Sequence, residues 1–158
     1  APRESQLNCF QNQILIAKEL DLPIIVHDRQ SKGDTLKVLK DMNVTKGVIH
    51  CFSGSAETAK ILINMGFMIS FTGVITFKNA KRAIEALKVI PIERLMIETD
   101  SPYMAPEPFR GRRNDSRYVK YVAEKMAEVK GIELEQLCEI TYQNGLKFFN
   151  ITKEENIQ

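Results

Sequence analysis

Two histidines and an aspartate hold the positions from which a metal could be bound. The chain contains only two histidines, and each is the first polar residue after a short apolar run: LPIIVH ends at His27 and GVIH at His50. A third run, LMIETD, carries Asp100 to the corresponding place. Two imidazoles and a carboxylate suit zinc, manganese and related divalent ions, and further carboxylates would shift the preference towards magnesium. For either histidine alone, a buried ring bonded to a loop carbonyl is an equal reading. The shared register of all three residues favours a metal cluster. Glu98 lies two residues before Asp100 and so points to the same side of an extended chain. It reads as a partner that orients a ligand, in preference to a barrel-interior residue.

The neighbours of these residues extend the chemistry. Arg29 follows His27 by two, where a guanidinium can hold a phosphate oxygen pair; a salt bridge to Asp34 is the bland alternative. Cys51 adjoins His50, but neighbours on a strand face opposite ways, so burial as a small apolar residue is the better reading. Ser53-Gly54-Ser55 runs into a helix start, which offers either an anion site through backbone amides or simple capping, the latter preferred. Arg110, Arg112, Arg113 and Asn114 form the densest basic stretch. They could overhang the metal face and meet a phosphate backbone, although charge alone favours a solvated loop.

These residues need elements to position them. Leu7, Phe10, Ile14, Ala17 and Leu20 recur at helical spacing, which predicts a helix over Glu4–Leu20. Ile24–Val26 then reads as a strand. Leu36, Val38, Leu39 and Met42 predict a second helix leading to the strand before His50. A third helix is capped by Ser55 and stops at Gly66, followed by a strand over Phe67–Thr72. A fourth helix over Asn79–Val89 precedes the strand Leu95–Ile97. Such alternation, with short and uniformly apolar strands, predicts a parallel sheet buried on both faces by crossover helices. In parallel β/α architectures the C-terminal strand ends converge on one face, where sites are built. A Pro- and Arg-rich loop, SPYMAPEPFRGRRNDS, follows Asp100, and helices over Arg117–Val129 and Leu134–Phe149 close the chain.

Bulk properties narrow the class. The 158 residues are 44% hydrophobic and 27% charged, as for an ordinary globular domain. A net charge of +2 leaves nucleic-acid binding to a local patch. Three isolated cysteines without CxxC spacing argue against a zinc ribbon or a disulfide framework, and fit a cytoplasmic protein. No apolar run approaches membrane-spanning length, so no membrane partner is expected. The absence of an initiator methionine at Ala1 suggests that N-terminal material is missing.

At LPIIVHDR, GVIHCFSGS, FMISFTGVITF, RLMIETDSPYMAP and FRGRRND, in that order and spacing, the sequence resembles the TatD family of metal-dependent deoxyribonucleases. The resemblance covers essentially the whole chain. It implies a (β/α)8 TIM-barrel of the amidohydrolase type, of which residues 1–158 form the C-terminal half, strands five to eight plus the C-terminal helices. It implies hydrolysis of DNA phosphodiesters with Mg, Mn or Zn, two ions per intact site. His27 and His50 match the ligands after the fifth and sixth strands. Asp100 matches the ligand after the eighth, which also serves as the base that deprotonates water. Arg29, Ser53 and the Arg110–Asn114 loop fall where the family contacts substrate or shapes its groove.

The resemblance also implies absences. Family members begin with a strand ending in His-x-His and carry a glutamate in a GEIGLD-like segment, and neither occurs here. Ser116 stands where many members have proline. Four strands with two unpaired edges leave half a barrel interior uncovered. The expectation is therefore a chain that is unstable, partly disordered or self-associating without the N-terminal half, with little nuclease activity alone. Two rivals remain: another metal hydrolase of the same barrel class acting on esters, amides or lactones, and a non-catalytic remnant serving in binding or assembly.

Overall fold

Short, mostly apolar strands, each separated from the next by a helix, have connections long enough for the crossovers that parallel pairing requires. The structure, a computed structural model, describes residues 1–29, 31 and 33–151. Its elements are α1 (Arg3–Glu19), β1 (Ile24–His27), α2 (Asp34–Asp41), β2 (Gly47–His50), α3 (Ala56–Asn64), β3 (Met68–Phe71), α4 (Lys81–Val89), β4 (Leu95–Ile97), α5 (Val119–Lys130) and α6 (Leu134–Phe149). Single 3₁₀ turns cover Gly73–Thr76, Ile92–Arg94 and Ser116–Tyr118. The expected order of elements is observed. β3 is shorter than the predicted Phe67–Thr72, because the Thr72 hydroxyl accepts from the Val74 amide and starts a 3₁₀ turn instead.

The four strands pair in sequence order and all in parallel. Right-handed crossovers that always step the same way lay their helices on one face of the sheet. Side-chain alternation agrees: Ile24, Val26, Ile49, Ile69, Phe71 and Leu95 belong to or pack on the core. This corrects the expectation of helices on both faces. On the other face Val48, Met68 and Ser70 of the middle strands are buried, but at the β1 edge Ile25 is 64% exposed. Phe67, Leu39 and Leu87 are fully buried on the helical side. Each such side chain contributes roughly 1.5–3 kcal/mol relative to exposure.

Polar contacts tie the helices to the sheet. Asn144 of α6 donates its amide to the Leu95 and Ile92 carbonyls at 2.8 and 2.9 Å, fastening α6 to the start of β4. Lys130 of α5 donates to the Ile90 and Lys88 carbonyls just past and within the last turn of α4. Cations are favoured there, and partial burial pushes the ammonium pKa down. Arg3 of α1 forms a two-pronged bridge to Asp34 of α2, both contacts 2.6 Å. Its hydrogen bond holds the Asp34 carboxyl below the usual range. Among the described residues no helix is long and apolar enough to cross a membrane.

Candidate metal centre

Register decides which side chains meet. His27 pairs with His50 in the β1–β2 ladder, so both rings leave the same face of the sheet at the same level. Their centroids lie 5.4 Å apart with planes tilted by 37°. β4 supplies the third wall. Glu98 continues that strand, its amide donating to the Phe71 carbonyl at 3.2 Å. One carboxylate oxygen of Glu98 lies 2.7 Å from His50 Nδ1, and the other accepts the Cys51 amide at 2.7 Å. His50 Nε2 lies 3.4 Å from Asp100 Oδ1. The three interacting side chains are half-buried, at 18% exposure for His50, 24% for Glu98 and 32% for Asp100, whereas His27 is exposed.

The arrangement has a chemical sense. An ionised carboxylate only accepts, so Glu98 requires a proton on Nδ1 of His50. The Nε2 lone pair is thereby turned towards Asp100. Orientation of an imidazole by a carboxylate on its far nitrogen is what metal-binding histidines use. His27, His50 and Asp100 thus come to one end of the sheet, as the sequence spacing predicts. Among the described residues, no three His, Cys, Asp or Glu side chains are gathered tightly enough to hold an ion as they stand. The donor chemistry nonetheless fits a divalent cation, because the oriented ring presents a lone pair beside a carboxylate oxygen.

The sequence reading of Cys51 needs correction in its reason. β2 ends at His50, and Cys51 takes a left-handed conformation (φ 50°) rather than continuing the strand. That turn aims the Cys51 amide at Glu98, while the thiol meets Thr72 Oγ1 at 3.2 Å. Burial pushes the thiol pKa up, which disfavours the thiolate a ligand would require. The residue is half-buried, not opposite to the site on a regular strand.

The predicted substrate-binding residues divide. Arg29 lines a groove of about 820 Å³ at the β1 edge together with His27, Arg3 and Asp34. Asp34, its alternative partner, is bonded to Arg3 instead. Ser55, not Ser53, caps α3 by accepting from the Thr58 amide at 3.2 Å. Ser53 is exposed on the wall of a second cavity of about 600 Å³, shared with Asp28, Thr58 and Arg82. Arg110 is exposed and lies over the Phe77 ring at 4.3 Å. Arg112 and Arg113 are exposed as well.

Asn114 does something the basic stretch did not suggest. It is 4% exposed, donates its amide to the Tyr103 carbonyl at 2.6 Å and accepts the Asp115 amide at 2.8 Å. Its side chain is committed to the loop interior and does not present its amide to a ligand. Gly73 was missed by sequence reasoning. A Cβ there would collide with the Met104 carbonyl oxygen and come within 2.8 Å of the Pro106 nitrogen. Thr76 Oγ1 also accepts the Glu107 amide at 2.8 Å. The loop after β4 is therefore clamped to the turn after β3.

A parallel sheet with imidazoles and carboxylates at the C-terminal ends of its strands defines an α/β protein with candidate metal donors at that edge. The comparisons make this more specific. The family model described as TatD related DNase matches residues 1–150, and the chain belongs to that family. It is 47% identical over 153 residues to YabD of Bacillus subtilis, named an uncharacterized metal-dependent hydrolase, covering 96% of this chain and 60% of that protein. It is 45% identical over 148 residues to YcfH of Escherichia coli K12, similarly named, covering 92% and 56%. Among solved structures it resembles YjjV, a TatD homolog of Escherichia coli K12, with a TM-score of 0.88 at 28% identity, over 94% of this chain and 58% of that one. A TatD family hydrolase from Entamoeba histolytica aligns with a TM-score of 0.85 at 26% identity, over 96% and 59%. The chain thus spans between 56% and 60% of the curated relatives named here.

Proposed function

We propose that this chain carries the C-terminal half of a (β/α)8 barrel whose complete form hydrolyses DNA phosphodiester bonds with divalent metal. The single observation that supports the reading best is His50, clamped at Nδ1 by Glu98 with Nε2 turned to Asp100 and the His27 ring alongside. In this reading His27, His50 and Asp100 hold the metal, which is magnesium, manganese or zinc, two ions to an intact site. A divalent ion bound there supplies Lewis-acid polarisation of a phosphoryl oxygen. Asp100 takes the proton of the attacking water, and Glu98 keeps His50 in one tautomer. Arg29 and Arg110 hold phosphate oxygens, Ser53 offers a hydroxyl at the rim, and Asn114 keeps the loop in shape.

The basic loop favours a phosphate ester over the amides and lactones of the rival hydrolase reading. Among the described residues the β1 and β4 edges are unpaired, and there the other strands of a barrel would pair, so the N-terminal half is the expected structural partner. Self-association through the same edges is the alternative fate of the chain on its own. Three free cysteines agree with a cytoplasmic setting.

Two histidines make the test simple. Zinc titration should move both imidazole signals in an NMR spectrum, with reversal by EDTA. A nuclease assay with and without the N-terminal half of a relative should then show activity only for the complemented protein. A complemented protein that binds no divalent metal would sink the proposal. One that binds metal and cleaves lactones but not DNA would favour the rival hydrolase.

A further inference from the structure

We infer that Thr72 is a positioning residue of the metal centre, an assignment that rests on the metal-hydrolase reading above. Its hydroxyl latches the Cys51 turn and so keeps Glu98 on His50, although β3 supplies none of the candidate ligands.

β3 lies between the strands that carry His50 and Asp100, and four consecutive residues at its end each hold a part of the site. The Ser70 carbonyl accepts the Phe52 amide at 2.9 Å, and the Phe71 carbonyl accepts the Glu98 amide at 3.2 Å. Thr72 Oγ1 meets the Cys51 thiol at 3.2 Å. Gly73 lies against the Met104 carbonyl of the loop after Asp100. The first two contacts are made by backbone and need no particular side chain, whereas the third needs the hydroxyl. Thr72 is 2% exposed, so its surroundings are set by this chain's own elements.

The latch is needed because Cys51 occupies an unfavourable conformation. At a φ of 50° it sits in the left-handed region, which a residue with a Cβ keeps only when its surroundings hold it there. Two contacts do so: the amide on Glu98 at 2.7 Å and the thiol on Thr72. Releasing the thiol leaves a single bond against relaxation towards extended backbone, and that relaxation swings the amide off Glu98. The carboxylate that loses its anchor is the one that holds the His50 proton on Nδ1, also at 2.7 Å. Thr72 Oγ1 receives the Val74 amide only at 3.5 Å, so the thiol is its closer partner. Either group can donate in the thiol contact, and a valine methyl can do neither.

Thr72→Val removes the hydroxyl and keeps the shape, and Thr72→Ser restores it. Zinc affinity should fall about 10-fold in the valine variant, the low end of the loss when a partner that orients a ligand is removed. It should return to the parent value in the serine variant. Two further readouts need no metal: the Cys51 amide should exchange faster with solvent, and long-range ¹⁵N NMR should show His50 losing its single tautomer. Cys51→Ala cuts the same contact from the other end, so Thr72→Val added to it should cost no further affinity. Should the valine variant fail to fold, Cys51→Ala carries the same readouts. A role in packing alone would lower the denaturation midpoint of both variants with parental zinc affinity, Cys51 exchange and His50 tautomer. That result overturns the assignment, as does an additive pair. If the parent chain binds no zinc, the metal reading fails, and exchange and tautomer decide the latch by themselves.

Discussion

Replacing Glu98 by glutamine separates the tautomer role of this residue from its structural role. The carboxylate makes two contacts of 2.7 Å, one to His50 Nδ1 and one to the Cys51 amide. Bonds to charged groups contribute about 1.5–3 kcal/mol when buried. At 24% exposure the lower end of that range applies to each, so Glu98→Ala should destabilise the fold by roughly 3 kcal/mol. Glutamine keeps the shape. Its carbonyl must accept the Cys51 amide, which leaves its NH₂ facing His50 Nδ1. Two donors cannot face each other, so His50 must move its proton to Nε2, the nitrogen turned towards Asp100. Stability should then stay within about 1 kcal/mol of the parent. Zinc affinity should fall by about 10- to 100-fold, the usual consequence of losing a partner that orients a histidine ligand. Chemical denaturation gives the first quantity and zinc titration the second, while long-range ¹⁵N NMR of the imidazoles reports the tautomer. A glutamine variant with parental zinc affinity and the proton still on Nδ1 would refute the reasoning.

Three further outcomes follow from the geometry. Gly73→Ala should lower the thermal midpoint by an amount matching about 1–3 kcal/mol, because the added Cβ meets backbone atoms of the Met104–Pro106 segment that cannot rotate away; an unchanged midpoint would show that the loop is not clamped there. Arg110→Ala should weaken binding of a short DNA strand and reduce the salt slope by about one; an unaltered slope would mean that the guanidinium serves only its stack on Phe77. The Arg3 hydrogen bond lowers the Asp34 pKa in the folded chain. The bridge should therefore support the α1–α2 contact above the ordinary carboxylate value of ~3.9 and lose that contribution as pH falls through the lowered value. Amide exchange in α1 should rise over that interval, and Asp34→Asn should remove the dependence.

The alternating pattern of elements was legible because each helix carries a 3.6-residue apolar period and each strand a short apolar run. α6 falls at Leu134–Phe149 and β2 at Gly47–His50, as the pattern predicts. The apolar run predicts a third strand one residue longer at each end than observed, because it continues into Phe67 and its polar end, Thr72, belongs to a turn. The helices' confinement to one face was not legible, since uniformly apolar strands look the same whether one or both faces are covered by helices. The second role of Glu98, accepting the Cys51 amide, was hidden because it depends on a left-handed turn that no local signal announces at a cysteine. Sequence proximity offered Arg29 only as an alternative partner for Asp34 and could not point to a residue of α1. Arg3, 31 positions away, reaches it once α1 packs beside α2.

By itself the sequence determined the candidate donors and their level: two histidines and an aspartate, each at the end of an apolar run, with Glu98 one pleat before Asp100. That followed from short-range rules, because strand periodicity assigns side chains to a face without knowledge of the neighbouring strands. Only the tertiary structure decided which atoms face each other. Parallel pairing set His27 level with His50, Glu98 chose the nitrogen of His50 that carries the proton, and Asn114 was turned inward to hold the loop after β4. These are contacts between residues distant in the chain, and they exist only after strand register and helix packing have brought their backbones together.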